Sequence, residues 1–173
     1  MKKINQFLLS LTIILMFCSV AFPQKEKNLD KYKSRTLAEI PLINREATDR
    51  ILTKTKLEEK TAFISYDLLY SRVRVEFTGQ QRAVSQEHQD LIKTWSKLQK
   101  IGKKVTSLYE NEFLFKEGAR EYWIPVQKQV EEALLKDVKA NDMITLFVVH
   151  VGGSKAAMAK DYEWLFLSTE FAK

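Results

Sequence analysis

Glu110 and Glu112 stand two residues apart in the stretch VTSLYENEFLF, a spacing that puts both carboxylates on one face of a strand with Cα atoms about 7 Å apart. Carboxylates at that order of separation can do acid–base work on a glycosidic bond, if they flank a cleft in unlike environments. Neighbouring glutamates on a wet strand face otherwise simply solvate it, and that plainer role is the expectation. His88 and His150 are the only histidines. Nothing here has the close spacing of a zinc motif, so no metal is expected. Arg72 and Arg74 pose the same choice as the glutamates: an anion-binding pair, or the charged face of a strand that discourages edge pairing. The second is favoured.

The most distinctive stretch is EYWIPVQKQVEE, residues 121–132. Strand alternation puts Tyr122 and Ile124 on one face and Trp123 on the other. One large aromatic must therefore point away from the main core, either tucked under the N-terminal segment or the following helix, or forming an aromatic shelf for sugars or peptides. The GGSK at 152–155 superficially resembles a phosphate-cradling loop. It lacks the second glycine spacing and a following helix to aim amides at an anion, so a flexible loop containing Ser154 and Lys155 is expected.

Other chemistry lacks its parts. There is no G-x-S-x-G elbow, no Walker loop and no G-x-G-x-x-G. The single cysteine, Cys18, falls in the expected leader, so the mature chain has neither thiol catalysis nor sulfur-ligated metal. No catalytic residue and no cofactor is assigned.

The elements that would position these residues follow from periodicity. Val73, Val75 and Phe77 alternate with Arg72, Arg74 and Glu76, which marks a strand with one buried face, ended by Gly79. Ser85 stands at an N-cap position before QEHQDLIKTWSKLQKIG, where Leu91, Trp95 and Leu98 make a helical stripe and Gly102 a stop. Tyr109, Phe113 and Phe115 share one side of the next strand. KEGAR turns the chain and EYWIPV returns as a hairpin arm. Val126, Val130, Leu134 and Val138 then recur as in an amphipathic helix, closed by KAND. MITLFVVHV and WLFLSTEF are apolar on both faces, so they lie centrally between two layers or wrap into a barrel. Upstream, Pro41 argues against a helix begun at Leu37 and for one over about residues 42–53.

The first 21 residues, with Lys2 and Lys3 ahead of an apolar run and Ser19-x-Ala21 at its end, have the form of a signal peptide cleaved after Ala21. Bulky Phe17 speaks against lipidation of Cys18. Cleavage would leave 152 of the 173 residues and lower the formal net charge from +6 to +4. Such a chain is long enough for one sizeable core. Residues 22–34 are charged and apolar-poor and read as a flexible lead-in, with a single domain over 35–173. Charges alternate in sign with no basic block, which argues against nucleic acid.

The element order β–α–β–β–α–β–β fits an α+β ferredoxin-like β-α-β-β-α-β sandwich with an extra C-terminal strand. The alternative is a small OB-like β-barrel with an inserted helix. The functional expectation is an exported, non-catalytic binding module, periplasmic or secreted, whose partner is a protein or an envelope component. Tyr122, Trp123, Ser154 and Lys155 are its candidate contacts, with Arg72 and Arg74 behind them. The rivals are a carboxylate-dependent hydrolase of envelope glycans using Glu110 and Glu112, a metal enzyme using the histidines, and a structural subunit of an envelope assembly. Under the binding reading, Glu112→Gln should leave stability and partner binding nearly unchanged; under the hydrolase reading it should abolish turnover.

Overall fold

The computed structural model describes residues 29–44, 62–155 and 161–173. The expected signal peptide with Cys18 and Ala21, the start of the lead-in, and most of the expected 42–53 helix lie outside the described residues.

The protein is α+β, and the described residues form one mostly antiparallel sheet of seven strands. In chain order these are β1 (Lys33–Ser34), β2 (Ala62–Ile64), β3 (Tyr70–Ala83), β4 (Asn111–Glu117), β5 (Arg120–Pro125), β6 (Met143–Ser154) and β7 (Glu163–Ala172). Helix α1 is described over residues 39–44; α2 spans Gln86–Leu98 and α3 spans Lys128–Asp137. β3 is central: β6 pairs antiparallel along its first half and β4 along its second, while β1 runs parallel beside Ser71 and Arg72. β7 borders the other edge of β6. A single parallel bridge, Val126 to Ser168, with Gln127 N–H donating to the Ser168 carbonyl, ties the end of β5 back to β7. The sheet therefore curls until its two sides touch.

This order departs from the ferredoxin-like expectation. In that fold the first strand of the motif lies between the third and fourth; here β3 pairs with β4, the next strand in sequence, and with β6. Both arrangements share one element order, and pairing is a long-range choice that periodicity does not encode. A second correction concerns β3. Gly79 does not end it but takes a φ of 80° where the register with β4 shifts between Phe77 and Gln81. A glycine bulge of this kind bends a strand and lets it continue in a new direction.

The curl explains why β6 and β7 are apolar on both faces. Inside, Ile144, Leu146, Val148 and Phe166 join Val73, Val75, Phe113, Phe115, Ile124 and α3's Val130 and Leu134 in the main core. Outside, Val149, Val151, Leu165 and Leu167 pack against Leu91, Ile92 and Trp95 of α2. The Ser85 cap is as expected: its Oγ accepts from His88 N–H at 3.2 Å. Lys100 rather than Gly102 takes the positive φ after this helix, at 54°.

The N-terminal side is more ordered than its composition suggests. Within the expected flexible lead-in, Tyr32 is buried edge-on to Tyr70 and Phe147 and shares a 2.9 Å hydrogen bond with Thr169 Oγ1, while Lys33 and Ser34 form β1. α1 opens at a capping box: Thr36 Oγ1 accepts from Glu39 N–H and Glu39 Oε2 from Thr36 N–H. Glu117 at the hairpin end accepts from the Leu37 and Ala38 amides. Pro41 does not interrupt the helix, which is described across it over residues 39–44. The helix thus starts before residue 42, and Leu37 and Ile40 enter the core.

Candidate functional site

Tyr122 and Trp123 diverge as alternation requires. Tyr122 turns inward, edge-on to Phe166 at 6.1 Å between centroids, and burial raises its phenol above the ordinary value. Trp123 turns outward and is half-buried. The Arg82 guanidinium covers its ring at 4.0 Å, a cation–π contact.

Trp123 forms one wall of a cleft of about 360 Å³ between β5 and the start of β7, lined by Arg120, Glu121, Tyr122, Trp123, Asp161, Tyr162, Glu163 and Trp164. Tyr162 and Trp164 stack with centroids 4.8 Å apart. The cleft opens where β5 and β7 diverge upstream of their one bridge. Three half-exposed rings, three carboxylates and one guanidinium share it. Trp164 opens a segment read only as a core strand, and Tyr162 and Glu163 end the 152–163 loop expected to flank an aromatic shelf, but none of the three was singled out from sequence. The YEW triplet, which like EYW at 121–123 joins one acid to two aromatics, was the available signal.

The other candidates scatter. Ser154 is a buried strand residue paired with Ala62 and Glu163, not part of a loop. The GG pair before it continues β6 because no side chain fits: a Cβ on Gly152 would lie 2.1 Å from the Phe63 carbonyl oxygen, and one on Gly153 would lie 2.7 Å from the Trp164 ring. Lys155 reaches the cleft edge, its Nζ 5.4 Å from the Tyr162 centroid. Arg72 and Arg74 are exposed on the outer face of β3, away from the cleft-lining residues.

Glu110 and Glu112 are not the pair expected. Glu110 precedes β4 and is exposed, holding Lys128 Nζ at 2.9 and 3.0 Å. Glu112 is fully buried. Its Oε1 accepts from Arg82 Nε at 2.6 Å and its Oε2 faces His88 Nδ1 at 2.5 Å. Burial raises its pKa, but the hydrogen bonds and charges of His88 and Arg82 outweigh that and hold it below the ordinary 4.5. Alternation was right about which face Glu112 takes; α2 then covers that face and makes it dry. His88 Nε2 lies 3.7 Å from Glu163 Oε1, at the cleft rim.

His150 belongs to a different environment. It is fully buried on the face it shares with Val148 and Phe166, against Phe63, Trp164 and Phe166 at 5.3 to 6.1 Å. Asn44 Nδ2 meets its Nδ1 at 2.7 Å. Among the described residues its Nε2 has no hydrogen-bond partner, and burial pushes its pKa down to about 3. Among the described residues, no three His, Cys, Asp or Glu side chains converge to hold a metal ion. No helix among the described residues is long and apolar enough to cross a membrane.

The fold and cleft define an α+β protein with a curled sheet and an aromatic, acid-lined groove. Comparison with family models, with curated proteins and with solved structures gives no match.

Proposed function

We propose that the protein is an exported, non-catalytic binding module that takes an envelope component, foremost a glycan chain, in the cleft between β5 and β7. The observation that carries this is the lining: half-exposed Trp123, Tyr162 and Trp164 interleaved with Arg120, Glu121, Asp161 and Glu163. Aromatic rings beside planar acceptors and donors suit a ligand with apolar ring faces and hydroxyl edges. Connectivity supports the same place. Counting β3, β4, β5, β6 and β7 as five barrel strands, the closed order β3–β4–β5–β7–β6 favours the OB-like barrel alternative, with α2 as its inserted helix. In such barrels the second and third strands, with the first and last connecting loops, hold oligosaccharides and oligonucleotides; this support is analogy of fold alone. The cleft lies between the third strand and the last loop. Three carboxylates against one guanidinium in its lining disfavour a phosphate backbone.

The hydrolase reading based on Glu110 and Glu112 has less support, since Glu112 is fully buried with both oxygens engaged. The leader sequence supports export to the periplasm or beyond.

The test is a tryptophan-fluorescence titration with soluble peptidoglycan fragments and neutral oligosaccharides, alongside extended peptides. A saturable change with a glycan is expected. Trp123→Ala should weaken it at least tenfold, about 1.4 kcal/mol, with an unchanged cooperative melt. Saturation by peptides alone, or a glycan signal indifferent to Trp123→Ala, would refute the assignment.

A further inference from the structure

We propose that Glu112 is the positioning residue of the cleft: through Arg82 it sets Trp123 on one wall, and through His88 it sets Glu163 on the other. The inference rests on the reading of this cleft as the ligand site, and assigns a role to a buried carboxylate that touches no ligand.

Glu112 receives one partner on each oxygen, and each partner reaches a different wall. Arg82 Nε donates to Oε1 at 2.6 Å, and the same guanidinium lies 4.0 Å above the Trp123 ring on β5. His88 Nδ1 meets Oε2 at 2.5 Å, and the opposite ring nitrogen lies 3.7 Å from Glu163 Oε1 on β7. Arg82, Glu112, His88 and Glu163 thus form a continuous line of polar contacts across β3, β4, α2 and β7. The outer members need this support. Arg82 and Glu163 side chains are 44% and 60% exposed; without an anchor each would sample many rotamers, and a loosely held site loses its geometry. The anchor is rigid because Glu112 is fully buried and His88 nearly so. Among the described residues the backbone joins this side of the sheet to β7 at the Val126–Ser168 bridge, and the line adds a side-chain link between the walls.

The experiment needs no ligand. The three tryptophans, Trp95, Trp123 and Trp164, are replaced by 5-fluorotryptophan and followed by fluorine NMR. Trp123 reports one wall. Trp164, next to Glu163, reports the other. Trp95, two helical turns beyond His88 on α2, reports the core. Glu112→Gln should shift both wall signals and leave Trp95 in place. Arg82→Gln should shift Trp123 alone, His88→Gln should shift Trp164 alone, and Glu112→Asp, which keeps the charge, should move both signals part-way. A Glu112→Gln protein with Trp95 unmoved and either wall signal unmoved overturns the proposal. If Glu112→Gln fails to fold, the single-arm variants decide: Arg82 is half-exposed and tolerates replacement, and a Trp123 signal unmoved by Arg82→Gln overturns it equally. A negative result here leaves the binding reading standing, whereas a failed glycan titration leaves these shifts unaffected.

Discussion

His150 should make the fold acid-sensitive well above the carboxylate range. The ring is completely buried among Phe63, Trp164 and Phe166, and burial moves its pKa from 6.5 to about 3. A base with a depressed folded pKa takes its proton first in the unfolded chain. The stability that neutral His150 confers is therefore complete above 6.5 and falls as the pH drops from 6.5 towards 3. At about pH 5 the unfolded imidazole is almost wholly charged and the folded one neutral, a gap of roughly 1.5 pH units at about 1.4 kcal/mol each. The expected loss between about pH 7.5 and pH 5 is thus about 2 kcal/mol. Urea unfolding of the wild type and of His150→Gln at both pH values measures it. All other titrating groups contribute alike to both proteins, so the wild type should lose about 2 kcal/mol more than the variant, a midpoint difference on the order of 1 M urea. Equal pH dependence in the two proteins would show that His150 is not held neutral by the core.

Glu112 governs the next range down: its folded pKa lies below 4.5, so its contribution is complete above that value and is lost as pH falls through the folded pKa. Contrary to the expectation from sequence, Glu112→Gln should cost stability: the carboxylate accepts from Arg82 and faces His88, whereas the amide keeps one acceptor oxygen and turns an NH2 donor to the other partner, weakening the two contacts by about 1 kcal/mol each. For a chain of this size that lowers the thermal midpoint by roughly 4 to 8 °C, and a change under about 1 °C would contradict it. Gly152→Ala should detach β2 from β6, since the new Cβ falls 2.1 Å from Phe63 O, while Gly102→Ala meets nothing within 4 Å. Hydrogen exchange at Gly152's partner Ile64 should accelerate in the first variant and stay unchanged in the second.

Local features of the chain were legible wherever one physical preference dominates. The alternation of 72–77, the Ser85 cap, the stripe of α2, the hairpin around Gly118 and the two-sided apolarity of β6 and β7 all follow from side-chain period and backbone chemistry. The opposed directions of Tyr122 and Trp123 are equally a property of the strand itself. Tertiary structure decided what those faces meet. β6 and β7 had to be covered twice, but whether by two layers or by a curled sheet with α2 outside depends on pairings between strands distant in sequence, to which local periodicity is blind. For the same reason Glu112, polar and on a face that reads as wet, becomes a buried anchor once α2 brings His88 onto it. Glu163 and Trp164, unremarkable in sequence, become a cleft wall because the curl of the sheet brings the start of β7 opposite β5.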